Sequence, residues 1–185
     1  RLLDRRPEEA LAALDESVAP GMGADLALER KRLRARAEFE LGDADGALRL
    51  LSGDQSRDAD LLRADVFWRT QRWAQAAEVF QRLVGRSGQD GRRIDDRAAT
   101  LILNWAVSLS LSNNIEQLSR VRQIFTQQMD NTPFREAFRL ITNKTEGDLD
   151  DFRTLADRFG EIGRFQAFLT SYRDRLKDKP LSATN

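Results

Sequence analysis

Two stretches of the chain carry the same residue order at a fixed offset of 29 positions (35 to 64), and no other feature constrains the fold as much. The first covers residues 33–51 and the second residues 62–80. Ala35 falls on Ala64, Gly42 on Gln71, Ala44 on Trp73, Ala47 on Ala76 and Leu51 on Phe80. Within each stretch the apolar residues recur at helical spacing, and the pattern breaks once, near Gly42 and Gln71, where a helix would stop. Each unit therefore reads as helix A, a tight turn and helix B. One such unit cannot bury its apolar face alone, so repeated units of this length stack on one another.

The pattern resembles the tetratricopeptide repeat (TPR). The matching residues are a small one in helix A (Ala35, Ala64), Gly at the turn (Gly42) and an aromatic residue opening helix B (Trp73). They continue with Ala where the helices cross (Ala47, Ala76) and a large apolar residue one turn later (Leu51, Phe80). The resemblance implies an all-α fold, a right-handed α-α superhelix of about ten helices in antiparallel pairs. The same ruler places Ala106, Asn113, Ile115 and Leu118 in a third unit, where Leu118 at the crossing position would hold its helices further apart than Ala. It places Ala156, Gly163, Phe165 and Phe168 in a last one. Turn-to-turn spacing runs 29 (42 to 71), 42 (71 to 113) and 50 (113 to 163). A regular array holds about 34 throughout, so the resemblance is to a divergent member of the family.

The whole chain, residues 1–185, is expected to form a single TPR-like domain. Residues 1–20 read as a half repeat, a helix B with Pro7 in its first turn and Glu8 and Glu9 at the positive end of its dipole. Its stripe of Ala10, Leu11, Leu14 and Val18 would lack half its cover. That feature and the opening Arg1-Leu2-Leu3 suggest the C-terminal piece of a longer protein. Full repeats are expected at 25–52 and 58–85, a flexible loop at 85–91, and divergent helical pairs at 95–130 and 148–178. An extra helix at 132–143 would start with Thr132 as N-cap, Pro133 at the first helical position and Glu136 completing the cap, and would bury Phe134, Ala137, Phe138 and Ile141.

Composition removes several classes of chemistry. With no Cys and no His there are no disulfides, thiol nucleophiles, Cys/His zinc sites or His-based triads. Thirty basic residues balance thirty acidic ones, which gives no general pull toward nucleic acid or anionic lipid. No apolar run reaches the 18 residues of a membrane span, so direct membrane insertion is not expected. Asp148, Asp150 and Asp151 cluster as an N-cap would before Phe152 rather than as a calcium loop. No phosphate-binding Gly loop, nucleophile elbow or kinase signature occurs. No catalytic residue, metal site or cofactor is expected, and both bacterial cytoplasm and periplasm stay open as the compartment.

The TPR resemblance implies that helix A side chains line a concave face. Carried over by the register of Ala35 and Ala64, these are Glu29, Arg32, Arg36, Phe39 and Glu40, then Leu61, Asp65, Trp68 and Arg69. Trp68 beside Arg69, facing Phe39 and Arg36, is the most suggestive set, because aromatic and Arg side chains dominate interface energetics. The competing expectation is that Phe39 and Trp68 fill the space between successive A helices. Arg32 and Arg36 lack the recurring Asn and Lys with which TPR clamps hold peptide carboxylates, so tail recognition is not expected. Trp73 and Trp105 occupy positions that packing alone explains. The function expected is a non-catalytic interaction module for a protein or peptide. Alternatives are a spacer or self-association element, dimerising through the N-terminal half repeat, and a helical domain attached to an enzyme whose active site lies elsewhere.

Overall fold

The structure is a computed structural model that describes residues 6–17, 23–85 and 94–143. Among the described residues the chain is all-α. Its helices are α1 (Pro7–Glu16), α2 (Ala24–Glu40), α3 (Ala44–Leu51), α4 (Arg57–Arg69), α5 (Trp73–Gly85), α6 (Asp96–Leu111), α7 (Ile115–Met129) and α8 (Arg135–Thr142). The helical pair expected at 148–178, the acidic cluster at 148–151, Val18 and most of the loop expected at 85–91 lie outside the described residues.

Local chemistry explains where the helices stop. At the end of α2 the Gly42 N–H donates to Phe39 O and the Asp43 N–H to Glu38 O, at 3.0 and 2.9 Å. After α4 the same two bonds run from Gln71 to Trp68 and from Arg72 to Phe67, and after α6 from Asn113 to Ser110 and from Asn114 to Leu109. This pair of bonds satisfies the last helix carbonyls and requires a left-handed residue between them. Gly42, Gln71 and Asn113 have φ of 96°, 58° and 56°. Three turns that differ in sequence are thus one turn in geometry.

The starts are set by side-chain caps. Asp43 accepts from the Gly46 N–H at 2.7 Å, Ser56 from Ala59 at 3.2 Å, Asp95 from Ala98 at 2.7 Å and Asn114 from Gln117 at 3.2 Å. The last helix departs from expectation. It begins at Arg135, and Thr132 is not its N-cap. The Thr132 hydroxyl instead donates to Met129 O at 2.8 Å and accepts from the Phe134 N–H at 3.2 Å. Its bonds are spent closing the turn after α7, so Pro133 sits in that turn and not in the first turn of α8. The buried face is as expected: Phe138 is fully buried, with Phe134, Ala137 and Ile141 half-buried around it.

Helices adjacent in sequence pack on one another, α2 also meets α4, and α6 also meets α8, whereas the backbones of α4 and α6 do not approach closely. Ala47 and Ala76 are fully buried where α3 and α5 cross their partners, and Leu118 is buried at the matching place on α7. Most of α6 is buried around its circumference, as its apolar composition requires.

The apolar core falls into two clusters. The smaller joins Ala35, Phe39, Ala47 and Leu51 to Ala59 and Val66 of α4. The larger runs from Ala64 of α4 through α5, α6 and α7 to Phe138 of α8. On α1, Ala10 is buried and Leu11 and Leu14 are half-buried, so the described part of the apolar stripe expected there is partly covered. Arg30 reaches over from α2 to Ser17 Oγ at 2.7 Å and to Leu14 O, capping the negative end of α1.

Candidate functional site

The helix A residues singled out by the TPR register sit on α2 and α4, which lie against each other. Their environments differ. Arg32 donates to Asp54 Oδ2 at 2.8 Å and to Ser56 Oγ at 3.3 Å, and so ties α2 to the start of α4. Phe39 is buried at 7% exposure, and the Arg69 guanidinium lies 4.4 Å over its ring. Arg69 also holds Glu40 at 2.9 Å and approaches Asp65 at 4.0 Å. Leu61 is half-buried against the larger cluster. Trp68 packs edge-on against Trp73 and Phe80, with ring centroids 5.2 and 5.9 Å away. Trp105, likewise, is buried edge-on against Phe125 at 6.2 Å. Arg36 is half-buried and makes no hydrogen bond or ion pair among the described residues.

The structure therefore brings Phe39, Glu40, Asp65 and Arg69 together between α2 and α4. The Arg69 cation lies over the Phe39 ring with a carboxylate on either helix beside it. Trp68, one residue before Arg69, directs its ring at the helix B aromatics of its own hairpin. That packing lies within one hairpin and is not the filling between successive A helices weighed against binding in the sequence.

A more deeply buried set had no counterpart in the sequence reading. Asp60 of α4 is 1% exposed, and its carboxylate receives Arg63 Nη1 at 2.8 Å and Arg82 Nη2 and Nε at 2.9 and 3.3 Å. Arg63 continues to the carbonyls of Leu51 and, at 2.7 Å, Asp54. Asp54 is itself buried and accepts from the Ser56 N–H at 2.9 Å. Burial pushes the Asp60 carboxyl up, but Arg82 and Arg63 outweigh it and hold the group below its ordinary value. Burial likewise opposes Asp54, and Ser56 and Arg32 overcome it in the same direction. Both carboxylates are ionised at neutral pH and serve as acceptors, not as proton donors. The sequence signal for this set was slight: Asp60 and Arg63 stand three apart on one helix face beside core alanines 59 and 64. Nothing local points to Arg82, which lies 22 residues further on.

Among the described residues no group of three or more His, Cys, Asp or Glu side chains is gathered as a metal site. No described helix is long and apolar enough to cross a membrane. No family model matches this chain, and neither a curated protein nor a solved structure matches it.

Proposed function

We propose that the chain is a TPR-like stack of helical hairpins and acts as a non-catalytic interaction module. Its partner is a protein or peptide that docks along α2 and α4. The observation that carries this reading is Arg36. It lies mid-helix between Arg32 and Phe39, and it is the cation of that row left without a partner among the described residues. A partly desolvated guanidinium with free donors suits a carboxylate or backbone carbonyl on an incoming chain. The recurrence of one turn geometry at Gly42, Gln71 and Asn113 supports the repeat reading.

The test is affinity capture with the chain and its Arg36→Glu variant, each first checked for helicity. A protein retained by the parent and lost by the folded variant supports the module and locates its face. Equal retention by both removes the α2–α4 assignment. Trp68→Ala is a poor probe, because the ring packs on Trp73 and Phe80 and its loss perturbs the fold.

A second reading, a spacer or self-association element, is favoured by a different observation. Arg32, Phe39 and Arg69 spend their bonding capacity inside the molecule. Under that reading capture yields nothing specific, and light scattering reports either a monomer or a discrete dimer.

A further inference from the structure

The two joints of the stack are built differently. Between α5 and α6 the contact is apolar and continuous: Val79, Phe80 and Leu83 share one cluster with Leu101, Ile102 and Trp105. Between the α2–α3 hairpin and α4 the apolar share is small, because that hairpin's core is a cluster of its own and α4 adds only Ala59, Val66 and a half-buried Leu62 to it. What crosses this joint is a row of arginines. Arg32 of α2 reaches Asp54 and Ser56 at the entry to α4. Arg63 of α4 reaches back to the carbonyls of Leu51 and Asp54 at the exit of α3. Arg69 at the end of α4 covers Phe39 and holds Glu40 of α2. Arg72, just before α5, holds Asp45 of α3 at 2.7 Å.

We propose that α1–α3 is a detachable arm, clasped to the rest of the stack by Arg32, Arg63, Arg69 and Arg72, and that salt or acid releases it while α4–α8 stays assembled. The physical reason lies in what each joint is made of. Apolar burial strengthens slightly in salt and is indifferent to protonation. The Arg69–Glu40 and Arg72–Asp45 pairs reach the surface, where such pairs are screened within about 3 Å at 1 M salt and disappear when their carboxylates protonate. The acids concerned face cations across the joint: Asp54 faces Arg32 of α2, Glu40 faces Arg69 of α4, and Asp45 faces Arg72 and Arg49, whereas Arg63 meets Asp54 only at its backbone carbonyl. Arm opening moves α2 away from α4 whatever that face binds, so the inference does not depend on the proposed function.

The experiment is native-state hydrogen exchange on the full chain, parent and Arg69→Gln/Arg72→Gln variant, in low salt and in 1 M NaCl. An Arg139→Gln variant removes an exposed ion pair with Asp130 outside the joint and serves as control. In the double variant, protection of amides in 24–51 is expected to fall about tenfold, with 96–111 changed less than about threefold. Salt should do the same to the parent, and the control variant should leave 24–51 unchanged. A parallel fall in 24–51 and 96–111 would make the stack one cooperative unit and overturn the proposal. So would unchanged protection of 24–51 in both the double variant and salt.

Discussion

Replacing Asp60 by Ala should be among the most damaging single changes in this chain. The carboxylate is buried and takes three guanidinium N–H contacts from two arginines. Removing it leaves both cations without their acceptor. Their fates differ: Arg82 is 43% exposed and can turn to water, whereas Arg63 is 15% exposed and keeps only the Leu51 and Asp54 carbonyls. Breaking a buried ion pair from one side costs about 3–5 kcal/mol, and the freedom of Arg82 puts this case near the lower end, about 3 kcal/mol. At about 2–4 °C per kcal/mol for a chain of this size, Tm should drop by about 6–12 °C. The assay is thermal and urea unfolding followed by helical circular dichroism at pH 7. Glu116→Ala serves as reference, since its pair with Arg120 is exposed on both sides and should cost under about 1 kcal/mol. The pH dependence adds a second readout. The folded Asp60 carboxyl titrates below its ordinary value of 3.8, so its stabilisation is complete above that value and is lost as pH falls through the lower, folded one. Asp60→Asn should therefore unfold with a flatter acid limb than the parent below pH 3.8. If Asp60→Ala costs no more than Glu116→Ala, the network is incidental and the reasoning fails.

The three turns give a graded series. Gln71→Gly should raise stability by about 1 kcal/mol by relieving a left-handed non-glycine residue, and Asn113→Gly by less, because Asn tolerates that region. Gly42→Ala should lose about 1 kcal/mol through backbone strain alone, since an added Cβ there meets nothing within 4 Å. Equal effects at Gln71 and Asn113 in urea titrations would contradict this account. Asp43→Ala removes the cap on the Gly46 N–H and should cost about 1 kcal/mol, read from the same titration. Asn104 is buried on α6, and its Oδ1 accepts no hydrogen bond among the described residues. Asn104→Leu should hold or raise stability by about 1 kcal/mol, and a clear loss in thermal unfolding would show that the amide is partnered after all.

How much was legible follows the range of the interactions. The register of Ala35, Ala64 and Ala106 located three turns whose backbone bonds are the same, although Gly, Gln and Asn occupy the left-handed position. Those bonds span no more than five residues, so the sequence contains both ends of each one. The start of α8 was misplaced because Thr132 had two local uses, capping a helix or closing the turn behind it, and the end of α7 decided between them. The candidate face was legible as a row of residues on α2 and α4, but what those residues do there was not. Arg32, Arg36 and Arg69 look alike in a helical register; how the two helices lie together gives Arg32 its partner at 54 and Arg69 its partners at 40 and 39, and gives Arg36 none among the described residues.

Local chemistry within the sequence thus determined where α2, α4 and α6 end and which stripe of each helix is apolar, and it set the helix starts other than that of α8. Tertiary structure alone decided that the backbone of α5 and not that of α4 approaches α6 closely, that α4 divides its apolar residues between two clusters, and that Asp60 meets an arginine 22 positions away. The physical reason is that capping and periodicity act within a few turns of chain, whereas a buried charge finds its counter-charge only after packing has removed water and fixed the distance between helices.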